Sequence, residues 1–275
     1  MSTSSVPVTS PHRIADETFL IPNLVAAGPD AYLSVNSMVV RGEQPIVIDT
    51  GAPIHRDHWL EQVGSLVDPN DIRWVFLSHD DGDHRGGLTT ILDLAPNATL
   101  VTNFFSTERV ALEEPLPVQR MRWLEPGDTL DAGDRTFRLF VPPIFDGPTT
   151  RGLYDDRTGV MWAVDSFAAL LPGAVYDVAD VPIELYADTF RQFNSLVSPW
   201  HRWLDRDVYG RHVDAVEALR PVTVASAHGP VLTGAAIHDA FDRVRAMAGA
   251  PIVPPPGPEA LEEMIAAVLA EPVPA

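Results

Sequence analysis

Two hydrophobic periods alternate along this chain. Short blocks rich in β-branched and aromatic residues predict strands at Thr18–Ile21, Ala31–Val40, Pro45–Asp49, Arg73–Leu77, Thr99–Thr102, Thr136–Val141, Val160–Val164 and Val222–Ala225. Helical spacing fills the intervals. Arg56–Val67 places Trp59, Val63 and Leu66 on one face, and Leu88–Leu94 and Thr107–Glu113 are shorter helices. An aromatic segment from Ile183 to Asp207 is interrupted at Ser198-Pro199, where proline starts a new turn, and Val208–Leu219 and Ala235–Ala248 follow. Strands interleaved with helices predict an α/β fold.

The two ends differ from the middle. Residues 1–13 read as a flexible lead and 14–249 as the main domain. The remainder, 250–275, reads as a proline-rich connector followed by an amphipathic helix. Pro251, Pro254, Pro255, Pro256 and Pro258 stiffen the connector. Beyond it, Leu261, Met264, Ile265, Val268 and Leu269 form one apolar stripe. That stripe is expected to dock on its own core or on a second subunit, which would make the protein a homo-oligomer.

With 45% hydrophobic and 21% charged residues in 275, the chain can bury a sizeable core, which excludes global disorder. Lys and Arg number 19 against 38 Asp and Glu, for a formal charge of -19. Such a surface repels phosphate backbones, so neither nucleic acid nor an anionic membrane is an expected partner. The acidic excess suits a cation site as well as a solubilising surface. With no cysteine, disulfides, zinc-thiolate sites, cysteine-ligated clusters and cysteine nucleophiles are all excluded. The first residues lack a secretory apolar region and no stretch of about 18 apolar residues occurs, which sets cytoplasmic as the expected location.

The chemistry concentrates in one loop. Leu77-Ser78-His79-Asp80-Asp81-Gly82-Asp83-His84-Arg85-Gly86-Gly87 follows a predicted strand and precedes a predicted helix. Strand ends that open into loops are where α/β proteins place their sites. Gly82 would give the tight turn that lets alternate side chains converge. Crowded carboxylates repel unless a cation joins them, so this is a candidate metal loop. A solvated acidic loop is the plain alternative. A calcium loop is the other, but Leu88 to Asp93 supply no closing Glu.

These residues resemble the metallo-β-lactamase superfamily. His79, Asp81, Asp83 and His84 match its H-x-H/E/D-x-D-H signature; Asp49-Thr50-Gly51, Asp165 and Ala227-His228-Gly229-Pro230 match its later motifs in order, over roughly Ile14 to Met247. The resemblance implies an αβ/βα four-layer sandwich with a dinuclear metal site. A carboxylate at position 81, with Ser198-Pro199-Trp200 downstream, is similar to the flavodiiron proteins, which reduce oxygen or nitric oxide at a di-iron centre. That implies His79 and Asp81 on one metal, Asp83, His84 and His228 on the other, and Asp165 bridging. Two departures stand out. The flavodiiron pattern has Glu where Asp81 stands, and a histidine where this chain has Asp146. The first metal then takes Asp146 as a ligand or keeps an open position.

If Asp81, Asp83, Asp146 and Asp165 all bind, the ligands bring four negative charges to two divalent ions. Hard oxygen donors favour iron or manganese, and imidazole-rich tetrahedral sites favour zinc. The leading expectation is a di-iron protein that binds or reduces O2 or NO with electrons from a separate redox partner, since no flavodoxin domain follows the matched core. A metallohydrolase of an ester, lactone, thioester or phosphodiester is the alternative, and a domain that has lost one metal and serves as a binding module is a third.

The remaining polar residues carry plainer expectations. Asp49 is expected to hydrogen-bond the metal loop without ligating. His201, between Trp200 and Trp203, is either part of an aromatic cluster or a wall of the metal pocket. His55 and His58 read as an exposed polar face, and His12, His212 and His238 as surface. Tyr154 and Trp162 read as core, and Arg85 as an ion-pair partner of the acidic cluster.

Overall fold

The computed structural model describes residues 7–28 and 31–270. Six strands come first: β1 (His12–Ala15), β2 (Thr18–Ile21), β3 (Leu24–Gly28), β4 (Ala31–Ser34), β5 (Ser37–Val40) and β6 (Ile46–Ile48). Helix α1 (Arg56–Leu66) leads to β7 (Trp74–Phe76), then α2 (Gly82–Arg85) and α3 (Leu88–Leu94) to β8 (Thr99–Thr102), and α4 (Phe104–Val110) to β9 (Met121–Trp123). The second half runs β10 (Thr129–Asp131), β11 (Thr136–Phe140), β12 (Gly152–Asp155), β13 (Val160–Trp162), α5 (Ile183–Val197) and α6 (Arg206–Glu217). It closes with β14 (Thr223–Ala225), β15 (Leu232–Thr233), α7 (Ala235–Met247) and α8 (Pro258–Ala270).

The strands form a seven-stranded sheet in the order β1-β2-β5-β6-β7-β8-β9, a six-stranded sheet running β10 to β15 in sequence, and a separate β3-β4 pair. β6, β7, β8 and β9 pair in parallel, as do β13 and β14. Parallel strands need both faces covered, and the side-chain alternation supplies two apolar faces. Ile46, Ile48, Trp74 and Phe76 join Phe137, Leu139 and Trp162 in a core between the sheets. Val47 and Val75 face the other way, onto Trp59 and Val63 of α1 and Leu88 and Ile91 of α3. Met161 and Val224 of the second sheet pack against Tyr186, Phe190, Val213 and Phe241 of the last helices. Helices, sheet, sheet and helices make the αβ/βα four-layer sandwich of the metallo-β-lactamase type.

Several expected elements are differently bounded. The run Ala31–Val40 is two strands, because at Val35-Asn36 the chain passes from the β3-β4 pair to the seven-stranded sheet, and there the Asn36 side chain donates to the carbonyls of Ser226 and Gly229 at 2.8 and 3.0 Å. The helix expected at Thr107–Glu113 begins at Phe104, since the Asn103 carboxamide accepts from the Ser106 amide and sets its start. α5 ends at Val197 and a 3-10 turn takes Pro199–Trp203, as the Ser-Pro break predicts. Strands β1, β3, β9, β10, β12 and β15 are too short or too polar to register in the pattern.

The lead differs from expectation. Residues 1–6 of the lead lie outside the described residues. Of the rest, Thr9 is buried, its carbonyl accepts from Gln62 and sits 3.1 Å from His58 Nε2, and β1 starts at His12. This part of the lead is therefore tied to α1. His55, expected on an exposed face, is likewise half-buried with Nε2 3.0 Å from the Leu24 carbonyl. At the other end, α8 does not dock on its own core: Leu261, Met264, Ile265 and Leu269 are 59%, 66%, 49% and 79% exposed. The Val268 side chain lies outside those described.

Candidate metal centre

The C-terminal ends of five strands meet at one place. β6 delivers Asp49, β7 delivers Ser78 and His79, β11 leads to Asp146, β13 leads to Asp165, and β14 leads to His228. α2, at the mouth of the same cleft, carries Asp83 and His84, with Asp81 at its N-terminus. All seven residues expected as ligands converge here. Three groups have ligand atoms within 4.8 Å of one another: His79, His84 and Asp165; Asp83, His84 and His228; and His79, Asp81 and Asp146.

Asp165 is the hub. Its Oδ2 lies 3.3 Å from His79 Nε2, and its Oδ1 lies 3.2 Å from both His84 Nε2 and His228 Nε2. Asp83 Oδ2 is 3.4 Å from His228 Nε2, and Asp81 and Asp146 stand 3.9 and 4.0 Å from His79 Nε2. His79, His84, Asp165 and His228 are buried, whereas the Asp81 side chain is 56% exposed. Val164, just before Asp165, takes a left-handed φ of 55°, a conformation that a β-branched residue rarely adopts. Its carbonyl accepts from Ala227 N at 2.7 Å and Ser226 Oγ at 3.0 Å, so the strained turn carrying Asp165 is locked to the turn carrying His228.

The outer edges of the imidazoles are held by the protein. His84 Nδ1 is 3.0 Å from Asp49 Oδ2, and His228 Nδ1 donates to the Ser34 carbonyl at 2.7 Å. With Nδ1 donating, the neutral rings turn the Nε2 lone pair inward. Asp49 also accepts from Ser78 N, Ser78 Oγ and Trp162 Nε1 at 2.7, 2.6 and 3.0 Å. It is fully buried and faces the back of His84, the place expected of it.

Asp146 sits on a loop fixed from several directions. Ser198 Oγ and Trp200 Nε1 donate to the Phe145 carbonyl at 2.7 and 2.8 Å. Asn103 Nδ2 donates to the Thr149 carbonyl at 2.7 Å, and Arg151 N to Ser78 O at 2.8 Å. The Ser198-Pro199-Trp200 motif thus presents the loop that carries Asp146.

The electrostatics follow from this crowding. Burial pushes the Asp165 carboxyl up, but His79, His84 and His228 outweigh it and hold it well below its ordinary value. Burial pushes the His84 imidazole down, but Asp49 and Asp165 hold it well above 6.5; His228 is raised in the same way by Asp165 and Asp83. Asp146 is pushed up to about 6, first by burial and then by the Asp165 charge. His79 Nε2, His84 Nε2 and both carboxylate oxygens of Asp165 are buried without a hydrogen-bond partner of good geometry. Buried polar atoms in that state are costly, and cations held among them would satisfy all four.

Three expectations need correction. His201 is fully buried away from the centre, with Nε2 3.1 Å from Ser195 Oγ and Nδ1 2.8 Å from the Met247 carbonyl, so it joins the α5 region to α7. Gly82 does not make a tight turn: its φ is ordinary and a Cβ there would meet nothing within 4 Å. The most constrained position is Gly86, where a Cβ would fall 2.3 Å from the backbone of Ala52 and Pro53. Arg85 pairs with Glu113 and Glu114 and donates to the Asp80 carbonyl, and Asp81, Asp83 and Asp165 are not among these partners. Asn36, Ser34 and Phe193, whose ring is 5.7 Å from that of His228, were not singled out from sequence. A lone Asn inside the apolar run Ala31–Val40 was the available signal for Asn36.

Comparison with known proteins agrees with the geometry. The model of the ODP family beta lactamase matches residues 33–229, and the chain belongs to that family. The diflavin flavoprotein A 1 of Nostoc sp. (strain PCC 7120) is 31% identical over 230 residues, covering 80% of this chain and 38% of that protein. The anaerobic nitric oxide reductase flavorubredoxin of Pectobacterium atrosepticum is 22% identical over 201 residues, 72% of this chain and 39% of its own length. Among solved structures, the flavodiiron protein from Giardia intestinalis superposes with a TM-score of 0.76 at 17% identity, over 89% of this chain and 60% of that one. The chain spans about two fifths of the length of these two curated relatives. Among the described residues, no helix is long and apolar enough to cross a membrane.

Proposed function

We propose that this chain holds a dinuclear metal centre, iron in both positions, that binds or reduces O2 or NO in the cytoplasm with electrons from a separate redox partner. His79, Asp81 and Asp146 would hold one ion, Asp83, His84 and His228 the other, and Asp165 would face both. One observation carries the reading: four buried ligand atoms of His79, His84 and Asp165 face one another without a well-formed hydrogen bond. The flavodiiron and nitric oxide reductase names of similar proteins supply the diatomic substrates.

Two iron ions held by these residues would supply redox chemistry toward a diatomic. This chain's residues do the rest. Four carboxylates offset the charge of two divalent ions and favour iron over zinc. Asp49 and the Ser34 carbonyl fix the ring orientation of His84 and His228. The Phe193 ring beside His228 gives one wall an apolar lining, which suits an uncharged diatomic.

The test is consumption of O2 and of NO by iron-loaded, chemically reduced protein in an anaerobic stopped-flow cell. Oxidation of the iron within a single turnover is expected with at least one gas. Iron that stays reduced with both gases, together with hydrolysis of ester or phosphodiester substrates, would overturn the reading.

A further inference from the structure

We propose that the two metal positions are unequal: the one formed by His84, His228 and Asp83 binds tightly, and the one formed by His79, Asp81 and Asp146 is an exchangeable position that accepts Mn2+ as well as Fe2+. The inference rests on the dinuclear reading above and goes beyond it in assigning different behaviour to each half. Three independent features of the site point the same way.

Donor chemistry is the first. The tight position has two imidazoles and one carboxylate of its own, and the other has one imidazole and two carboxylates, with Asp165 shared. Imidazole suits iron and zinc, whereas carboxylate and water suit manganese. A position with a single imidazole therefore discriminates least against Mn2+.

Enclosure is the second. The side chains of His84 and His228 are 1% and 6% exposed, and that of Asp83 is 35% exposed. At the other position Asp81 is 56% and Asp146 26% exposed. Water reaches two of its three donors, which gives a chelator a path and lets waters complete the coordination shell.

Pre-organisation is the third. Each imidazole of the tight position is anchored through Nδ1, at 3.0 Å to Asp49 and 2.7 Å to Ser34 O. His79 Nδ1 has only Ser78 Oγ at 3.4 Å, and Asp146 Oδ1 only Thr150 Oγ1 at 3.4 Å. The Asp81 side chain caps nothing, although it stands at the start of α2. The loop under Asp146 is fixed, but the carboxylates themselves are free to follow a leaving ion. Outer partners of this kind are worth about 10–100-fold in metal affinity, which sets the expected gap between the positions.

The experiment loads the full chain anaerobically with Fe(II), removes the excess, and dialyses it against a graded series of EDTA. Iron per chain is read by plasma mass spectrometry, and Mn(II) is then added and its paramagnetic resonance spectrum recorded. Iron is expected to fall from two per chain to a plateau at one, the second ion leaving only at about tenfold or more EDTA. One Mn(II) should then bind, its six-line signal broadened by the neighbouring iron. Asp146→His, checked by its melting temperature, should narrow the gap between the two losses; the series on the unmodified chain decides the question without it. Loss of both ions in one step, or Mn(II) displacing both equally, would overturn this inference alone. A chain that never loads two ions defeats the dinuclear reading and this inference with it.

Discussion

Asp49 Oδ2 lies 3.0 Å from His84 Nδ1, on the opposite edge of the ring from the Nε2 that faces Asp165. The same carboxylate accepts from Ser78 N, Ser78 Oγ and Trp162 Nε1, so one buried side chain orients His84, the loop that leads to it and the second sheet. Asp49→Ala leaves these donors unpaired. Each buried unpaired donor costs about 1–3 kcal/mol, and loss of such an outer partner lowers metal affinity about 10–100-fold. Urea denaturation with chelator present reads the first effect and competition with a chromogenic chelator reads the second. Unchanged affinity would mean that His84 needs no support.

Gly86 and Gly82 separate backbone necessity from sequence appearance. A Cβ at Gly86 falls 2.3 Å from the Ala52 and Pro53 backbone, where nothing can rotate away. Gly86→Ala should cost at least about 1–3 kcal/mol and pull α2 away from the Asp49 turn. Gly82→Ala should stay within about 0.5 kcal/mol. Chemical denaturation of both variants makes the comparison, and equal losses would contradict the packing described here.

Without metal, the centre is held by imidazolium–carboxylate pairs. The raised folded values of His84 and His228 give stability that is fully present below 6.5 and lost as pH rises through them. The lowered value of Asp165 gives stability present above 3.8 and lost as pH falls through its folded value. The metal-free protein should therefore melt highest between these limits and lower on the alkaline side. The metal-loaded protein, with neutral imidazoles, should lack the alkaline fall. Thermal melts with and without chelator across that range check it.

Asn36 ties two distant loops, donating to the Ser226 and Gly229 carbonyls on either side of His228. Asn36→Ala should destabilise by about 1–3 kcal/mol and loosen the His228 side of the centre. A chelator challenge should strip metal from this variant sooner than from the unmodified chain.

α8 buries none of Leu261, Met264, Ile265 or Leu269 on its own domain. Deleting residues 258–275 should leave the melting temperature essentially unchanged. Light scattering on the same samples reads the mass; a fall on deletion identifies the helix as an assembly element. A large drop in melting temperature with no change in mass would show a packing role instead.

Much of this was legible in the sequence, for physical reasons that differ from residue to residue. Strands buried on both faces, such as Ile46–Ile48 and Trp74–Phe76, read as continuous apolar runs whatever their partners. The loop from His79 to His84 was legible because crowded carboxylates need a cation, and Asp146 because the resemblance left a position without its histidine. Asn36 and Ser34 were not, since their role depends on a turn nearly two hundred residues away. His201 misled because a histidine between two tryptophans looks the same in sequence whether it lines a site or bonds Ser195 and Met247. Gly82 misled because three glycines crowd the loop and only three-dimensional contacts show that Gly86 and Gly87 are constrained and Gly82 is not.

The most direct test of the account is metal content per chain, by plasma mass spectrometry on protein purified anaerobically from medium supplying iron, manganese and zinc. Close to two ions per chain are expected, mainly iron, with any shortfall in iron made up by manganese. Two zinc ions per chain would contradict the di-iron reading and point to hydrolysis, and one ion of any kind would contradict a dinuclear centre.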